Sequence, residues 1–98
     1  MYAIVNRRRI NPDRAQETRE RAASEFMPKL QRAPGFVSFT LVQGEDGINT
    51  AVIVWEDKAH ADAFRGDAET WTRALDEMGH RVETHGEGEV IQHVTPGA

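Results

Sequence analysis

The sequence contains no cysteine among its 98 residues. This absence excludes disulfide bonds, thiolate zinc sites, iron–sulfur clusters and cysteine nucleophiles. The chain also lacks any apolar run that approaches the roughly 18 residues of a membrane-spanning helix, and its first residues lack the layout of a signal peptide. We therefore expect a cytoplasmic protein with no membrane partner.

Basic residues are in the minority, because 12 Lys and Arg stand against 16 Asp and Glu for a net charge of −4. RNA-recognition motifs share the element order derived below, but they carry stacking aromatic residues within a basic, glycine-containing motif on their third strand. The third strand predicted here, Ile48–Trp55, has no such motif. We therefore expect no nucleic-acid partner.

The hydrophobic pattern predicts six elements in the order β-α-β-β-α-β. The β-branched and aromatic content predicts strands over residues 2–10, 36–43, 48–55 and 89–94. Apolar steps of three and four predict helices over 11–33 and 58–78. Asn11 is expected to cap the first helix, Pro28 to kink it and Gly79 to end the second. A bend is expected at residues 66–67, and the polar residues 80–88 are predicted to form a loop.

The predicted order is the split βαβ, or ferredoxin-like, arrangement of the α+β class. Right-handed crossovers place both helices on one face of a four-stranded antiparallel sheet. The second and third strands carry apolar side chains on both faces, and an open apolar face is unusual for a monomer. We therefore expect a homodimer through the sheet face, with Trp55 at the interface. We expect one domain over residues 1–98, with a core at 2–94 and a frayed tail at 95–98.

Three stretches of the sequence resemble a known family. They are residues 33–37 (Ala-Pro-Gly-Phe-Val), residues 54–57 (Val-Trp-Glu-Asp) and the alanine-rich second helix with Phe64. Together with the element order, they resemble the antibiotic biosynthesis monooxygenase domain family of the dimeric α/β-barrel superfamily, over about residues 2–94. The family includes cofactor-independent oxygenases of polyketide quinols, haem-degrading enzymes and members without an established activity. The resemblance implies a dimeric α/β barrel.

The haem-degrading branch resembles this chain at Asn6 and carries a Trp and an iron-ligating His on its second helix. Alignment on Trp55 places Phe64 and Ala74 at those two positions. Alanine cannot ligate iron, so haem degradation would need His60 or His80 as a substitute.

The quinol-oxygenase branch implies a monooxygenase that acts on an electron-rich aromatic small molecule without any cofactor. A deprotonated quinol reduces oxygen itself, so the protein must bind the rings, stabilise the phenolate and shield the intermediate. Asn6 and Arg8 are the candidates to stabilise the phenolate, because they share strand parity with Ile4. Trp71 is the candidate to orient the ring or bind oxygenated intermediates through its N–H. The candidate substrate-binding residues are Phe26, Met27, Phe64 and His60.

The same residues have plainer explanations. Asn6 can hydrogen-bond a loop or a helix end, and the aromatic residues lie at the helical spacing that is typical of a core. The alternative function is therefore a non-catalytic ligand-binding or structural homodimer of the same fold. A third is a non-redox isomerase or decarboxylase, in which His60 or His93 would act as the base.

The predicted loop also carries a group of residues with some metal-like spacing. Its members are His80, Glu83, His85 and Glu87. No regular element is predicted to hold these side chains together, so we expect no metal site and leave their role open. His80 follows the end of a helix, where a positive charge is favourable.

Overall fold

The computed structural model describes residues 1–97 and has the predicted ferredoxin-like α+β fold. The strands are β1 (Tyr2–Arg9), β2 (Phe36–Gln43), β3 (Ile48–Trp55) and β4 (Arg81–Glu89). The helices are α1 (Ala15–Arg21), α2 (Met27–Arg32), α3 (Lys58–Ala63) and α4 (Arg65–Glu77). The strands form an antiparallel sheet in the order β2-β3-β1-β4. Within residues 1–97, no helix has the length and apolarity needed to cross a membrane.

The first helical segment begins and bends where the sequence predicts. The Asn11 side chain accepts a hydrogen bond from the Asp13 N–H at 3.2 Å, at the start of a 3-10 turn over Pro12–Arg14. A π-helical turn, Ala22–Phe26, joins α1 to α2 and ends two residues before Pro28. Because proline has no N–H and its ring crowds the preceding turn, a widened turn is a common way to accommodate it.

The core lies between one face of the sheet and the helices. Its buried members are Tyr2, Phe26, Leu30, Ile53, Trp55, Ala61 and Phe64. Trp55 is only 1% exposed, and its ring centroid lies 5.8 Å from that of Phe36 and 5.2 Å from that of Phe64. The prediction that Trp55 lies at a dimer face was therefore wrong. Trp55 pairs with Tyr2 across the sheet, and paired residues point to the same side, which here is the helix side.

A bulge in β2 changes which side chains face the core. Phe36 pairs with Trp55 and Phe39 pairs with Ile53, both on the helix-facing side. An unbroken strand would direct positions 36 and 39 to opposite faces. The register skips Val37, and this extra residue brings both phenylalanines into the core.

The last strand lies earlier than the sequence predicts. Arg81–Glu89 forms β4, whereas residues 90–97 have no regular structure and the predicted loop over 80–88 was wrong. All nine residues of β4 are exposed, and the strand pairs on one side only, with β1. An edge strand held mainly by backbone hydrogen bonds needs no apolar alternation, so its sequence resembles that of a loop.

The second helical segment breaks at Phe64, before the predicted bend, since Gly66 and Asp67 both lie inside the first turns of α4. Gly79 ends α4 as predicted. It has a φ of +85°, and the next residue, His80, donates its N–H to the Leu75 carbonyl at 3.1 Å. This is a Schellman ending, which requires a residue in the left-handed region and therefore favours glycine.

Candidate functional site

A polar cluster lies on the helix-facing side of β1 and β4. Asn6 pairs with His85 and Ile4 pairs with Glu87, so all four side chains point to the side that α4 covers. The Arg65 guanidinium of α4 donates a hydrogen bond to Glu87 in the same cluster. We call the group Tyr2, Asn6, Arg65, His85 and Glu87 the β1–β4 cluster.

Glu87 is the centre of this cluster. Its Oε1 accepts hydrogen bonds from the Tyr2 hydroxyl at 2.7 Å and from the Arg65 guanidinium at 2.6 Å. Its Oε2 lies 2.9 Å from His85 Nε2. These hydrogen bonds, that of Arg65 above all, lower the pKa of Glu87 to about 2, and the bond from Tyr2 raises the pKa of that phenol. Glu87 is therefore a carboxylate at any physiological pH.

His85 is held at both ring nitrogens. A carboxylate only accepts hydrogen bonds, so Nε2 carries a proton toward Glu87, while Nδ1 contacts the side-chain oxygen of Asn6. The His85 side chain is 49% exposed, so a small molecule can reach the ring. The ring therefore links Glu87 to Asn6 and orients the Asn6 amide, whose nitrogen has no hydrogen-bond partner within residues 1–97 and can donate to a bound anion.

Arg8 lies two residues from Asn6 on the same face of β1. Its side chain is 12% exposed, its Nη2 is 3.5 Å from Thr72 Oγ1, and its Nη1 is 3.6 Å from Asp76 Oδ1. Nη1 is buried and has no hydrogen-bond acceptor within residues 1–97. Burial lowers the pKa of Arg8, and only the charge of Asp76 opposes this. A buried cation with an unsatisfied N–H group is costly, which marks a place where an anion would be stabilised.

The predicted aromatic residues lie together in the core, which also includes Tyr2 of the β1–β4 cluster. Phe26 and Phe64 are buried, with ring centroids 6.1 Å apart. Trp71 stacks on Phe26 at 5.4 Å with an interplanar angle of 11°. Met27 packs against the same core. These side chains fill the space between the helices and the sheet.

Two cavities open on the helical layer, and neither includes Asn6 or Arg8. Trp71 lines the first, of about 310 Å³, together with charged residues of both helical segments. Phe64 and His60 line the second, of about 320 Å³. Phe26 and Met27 line neither cavity. The residues predicted to form one site therefore occupy four places: the β1–β4 face, the core, the first cavity and the second cavity.

The sequence pattern did not indicate the roles of Arg65, His85 and Glu87. The only signal was the His-Gly-Glu spacing at positions 85–87, which places two polar side chains on one face of a strand. That signal depends on knowing that the segment is a strand and that Asn6 is its partner.

The group with metal-like spacing does not come together. His80 is buried elsewhere and Glu83 forms an ion pair with Arg9 at 3.0 Å, which leaves His85 and Glu87 in the β1–β4 cluster. Within residues 1–97, no three metal-ligating side chains converge.

Comparison with solved structures supports the fold along the whole chain. HapK from Hahella chejuensis is 17% identical, with a TM-score of 0.79 and full coverage of both chains. The N63A mutant of SnoaB, a cofactor-independent oxygenase from Streptomyces nogalater, is 26% identical over 97% of each chain, with a TM-score of 0.66. MhuD, a heme-degrader from Mycobacterium tuberculosis solved with two hemes bound in its active site, is 21% identical over 97% of this chain and 100% of its own, with a TM-score of 0.65.

Comparison with curated protein sequences gives no significant match. The family model for antibiotic biosynthesis monooxygenase, in contrast, matches residues 1–78, which is most of the chain and includes all of the helical layer. The chain therefore belongs to the antibiotic biosynthesis monooxygenase family.

Proposed function

We propose that this protein is a cofactor-independent monooxygenase that oxidises an electron-rich aromatic, quinol-type molecule bound against the β1–β4 cluster. The observation that carries the proposal is the partly buried Arg8 guanidinium, whose buried and unsatisfied Nη1 lies on the same strand face as Asn6. A phenolate is the kind of anion that this cation would stabilise. The relative SnoaB, described as a cofactor-independent oxygenase, supports the reaction class.

In the proposed reaction, each polar residue has one task. Glu87 and the Asn6 oxygen hold the two ring nitrogens of His85, so that the ring orients the Asn6 amide, and the substrate gives up its proton to solvent. Arg8 and the Asn6 amide stabilise the resulting anion. The anion gives an electron to dioxygen, and recombination with superoxide and a proton forms a hydroperoxide. For an anthrone, loss of the remaining C–H proton and of hydroxide then leaves one oxygen atom in the new carbonyl and releases the other as water.

Oxygen uptake tests this proposal directly. We expect wild-type protein to accelerate uptake over a panel of anthrones and hydroquinones without added metal or flavin. Loss of the anion-stabilising amide in Asn6→Ala should lower the rate about 100-fold or more. His85→Gln, which removes the ring that orients the Asn6 amide, should lower the rate as well. Arg73→Gln, which removes an exposed cation of α4 outside the cluster, is the matched control.

Trp71→Phe separates the two places where the aromatic ring could bind. This variant keeps the stack on Phe26 but removes the indole N–H in the first cavity. Uptake that falls in Trp71→Phe and is unchanged in Asn6→Ala and His85→Gln would move the reaction to the first cavity and contradict the proposed site. No uptake above the uncatalysed rate across the panel would contradict the oxygenase function.

The second candidate is the non-catalytic homodimer, and the stacking of Trp71 on Phe26 favours it. With Phe26 and Phe64 buried in the core, this stack occupies the space that an aromatic ligand would need between the helices and the sheet. Titration with a fluorescent aromatic ligand distinguishes the candidates. From a structural homodimer, neither saturable binding between the helices and the sheet nor oxygen uptake is expected.

Haem degradation has little support from the residues present. Ala74 stands where the alignment places the iron-ligating His and lines the first cavity. Of the two possible substitutes, His80 is buried with both ring nitrogens hydrogen-bonded, and His60 lines the second cavity, not the first.

We also propose that the protein is a homodimer formed between two sheets. Both helical segments cover one face of the sheet, and the other face presents Val5, Val42, Val52 and Val54 around its centre. Val42 is 54% exposed and Val5 is 36% exposed. Covering this apolar face with a second copy would remove it from water.

A further inference from the structure

The second cavity, which we call the His60 cavity, has the composition of a ligand site. It has a volume of about 320 Å³, within the range of roughly 300–1,000 Å³ that is typical of small-molecule sites. Its lining includes Lys29, Arg32, Pro34, His60, Phe64 and Asp67. It shares no residue with the β1–β4 cluster, and it lies on the helical layer, away from the open face of the sheet.

His60 is held in one orientation by Asp57. The Asp57 carboxylate accepts hydrogen bonds from the His60 backbone N–H at 2.9 Å and from the ring Nδ1 at 2.7 Å. The same two hydrogen bonds hold the pKa of Asp57 below its usual range, so the carboxylate stays ionised. With the proton on Nδ1, the lone pair of Nε2 is available, and Nε2 has no hydrogen-bond partner within residues 1–97.

Gly35 fixes the other side of the ring. A Cβ atom at this position would lie 2.2 Å from His60 Cγ, so only glycine lets the backbone approach the imidazole so closely. Gly35 has a φ of +79° in a turn in which the Phe36 N–H donates to the Ala33 carbonyl. Pro34 and Gly35 at the two central positions are typical of a type II turn. The Gly35 backbone therefore packs closely against the His60 ring, which Asp57 orients from the other side.

The charges of the cavity favour an anion. Lys29 lies 3.9 Å from Asp67, and these two charges largely offset each other. Arg32 has no ion-pair partner among the described residues, so its guanidinium is available. Pro34 and Phe64 supply an apolar surface beside it.

We propose that the His60 cavity binds a small aromatic hydroxy acid. Arg32 pairs with the carboxylate, the ring lies against Pro34 and Phe64, and the hydroxyl group donates a hydrogen bond to His60 Nε2. An aromatic acid without the hydroxyl uses only the first two interactions and binds more weakly. A neutral amide analogue loses the charge pairing.

Nuclear magnetic resonance titrations of the full chain test the proposal with three probes: 4-hydroxybenzoate, benzoate and 4-hydroxybenzamide. We expect saturable shifts at residues 32–35 and 57–64, with 4-hydroxybenzoate binding at least fivefold tighter than either analogue. Arg32→Gln should weaken both acids at least fivefold, whereas Arg73→Gln, an exposed cation outside this cavity, should leave them unchanged. His60→Phe should weaken 4-hydroxybenzoate to the level of benzoate and leave benzoate itself unaffected.

Asp57→Asn is a second variant, chosen because it should change ligand binding without unfolding the protein. Asparagine caps helices as well as aspartate does, so α3 is retained while the charge that orients the ring is lost. We expect normal thermal stability with a reduced preference for 4-hydroxybenzoate over benzoate. Equal binding of these two acids to wild-type protein, equal weakening by Arg32→Gln and Arg73→Gln, or shifts confined to the β1–β4 cluster would each overturn the proposal.

Discussion

At the scale of single residues, His80 shows how burial determines the protonation state of a side chain. It is 1% exposed, and its Nδ1 accepts a hydrogen bond from the Asn11 backbone N–H at 3.0 Å. Its Nε2 lies 2.6 Å from the Thr18 hydroxyl, which itself donates to the Arg14 carbonyl at 2.7 Å. Only the neutral tautomer with its proton on Nε2 satisfies all three contacts. The prediction of a favourable positive charge at this helix end was therefore wrong.

The environment of His80 predicts a loss of stability in mild acid. Burial, followed by the charges of Arg8 and Arg14, lowers the pKa of His80. Below the unfolded-state pKa of about 6.5, the unfolded chain binds a proton that the folded chain does not, so the free energy of unfolding falls with pH until the folded-state pKa is reached. Urea unfolding between pH 7.5 and pH 5.5 measures this fall.

Two histidine variants test whether protonation of His80 causes the fall in the free energy of unfolding. His80→Gln cannot be protonated, so its stability should be lower at pH 7.5 but should depend less on pH than that of the wild type. His93→Gln, which removes an exposed histidine after β4, should keep the wild-type dependence. Equal pH dependence in wild type and His80→Gln would contradict this account.

At the scale of elements, the sequence predicts the strands that face the core and misses the strand that does not. The bounds of β2 and β3 agree with the predictions, because β-branched and aromatic residues dominate both. β4 was missed because Gly86, Gly88 and its charged residues carry no apolar period. Arg8 faces α4 as its parity with Ile4 predicts, since it contacts Thr72. The partners of Asn6 could not be predicted, because they lie on the strand that was missed.

Two glycine-to-alanine substitutions, one in the turn before β2 and one in α4, should have opposite effects on the free energy of unfolding. Gly35→Ala should destabilise the protein by more than about 1 kcal/mol, because the left-handed φ disfavours a side chain and the new Cβ would collide with His60. Gly66→Ala, the matched control, lies in α4 with open space at its Cβ and should stabilise by up to about 1 kcal/mol. Thermal and urea unfolding of both variants gives the values, and an unaffected Gly35→Ala would contradict the close packing of the turn on His60.

At the scale of the whole molecule, the open sheet face predicts the assembly state. Val52 lies at the centre of this face, where it pairs with Val5. Val52→Lys places a charge there and should convert the expected dimer to a folded monomer, because burial of an unpaired ammonium group in the interface is costly. Sedimentation or light scattering at micromolar concentration measures the mass.

The control for the assembly state is Val82→Lys. Val82 is equally apolar and 50% exposed, but it pairs with Arg8 and lies on the helix-facing side. This variant should remain dimeric. A wild-type protein that sediments as a monomer, or a Val52→Lys variant that sediments as a dimer, would contradict a dimer through the sheet face.

The position of β1 in the sheet has a consequence for how the protein is made. This strand lies between β3 and β4, and its register with β4 joins Tyr2 to Glu89. During translation, β1 leaves the ribosome before the other elements of this fold, yet one of its two neighbours is β4, which leaves after all of them. Until then, its N–H and C=O groups on that side have no native partner and can pair with a strand from another chain. The sheet is therefore completed only after Arg81–Glu89 has been synthesised, and until then the β4 side of β1 is an open edge.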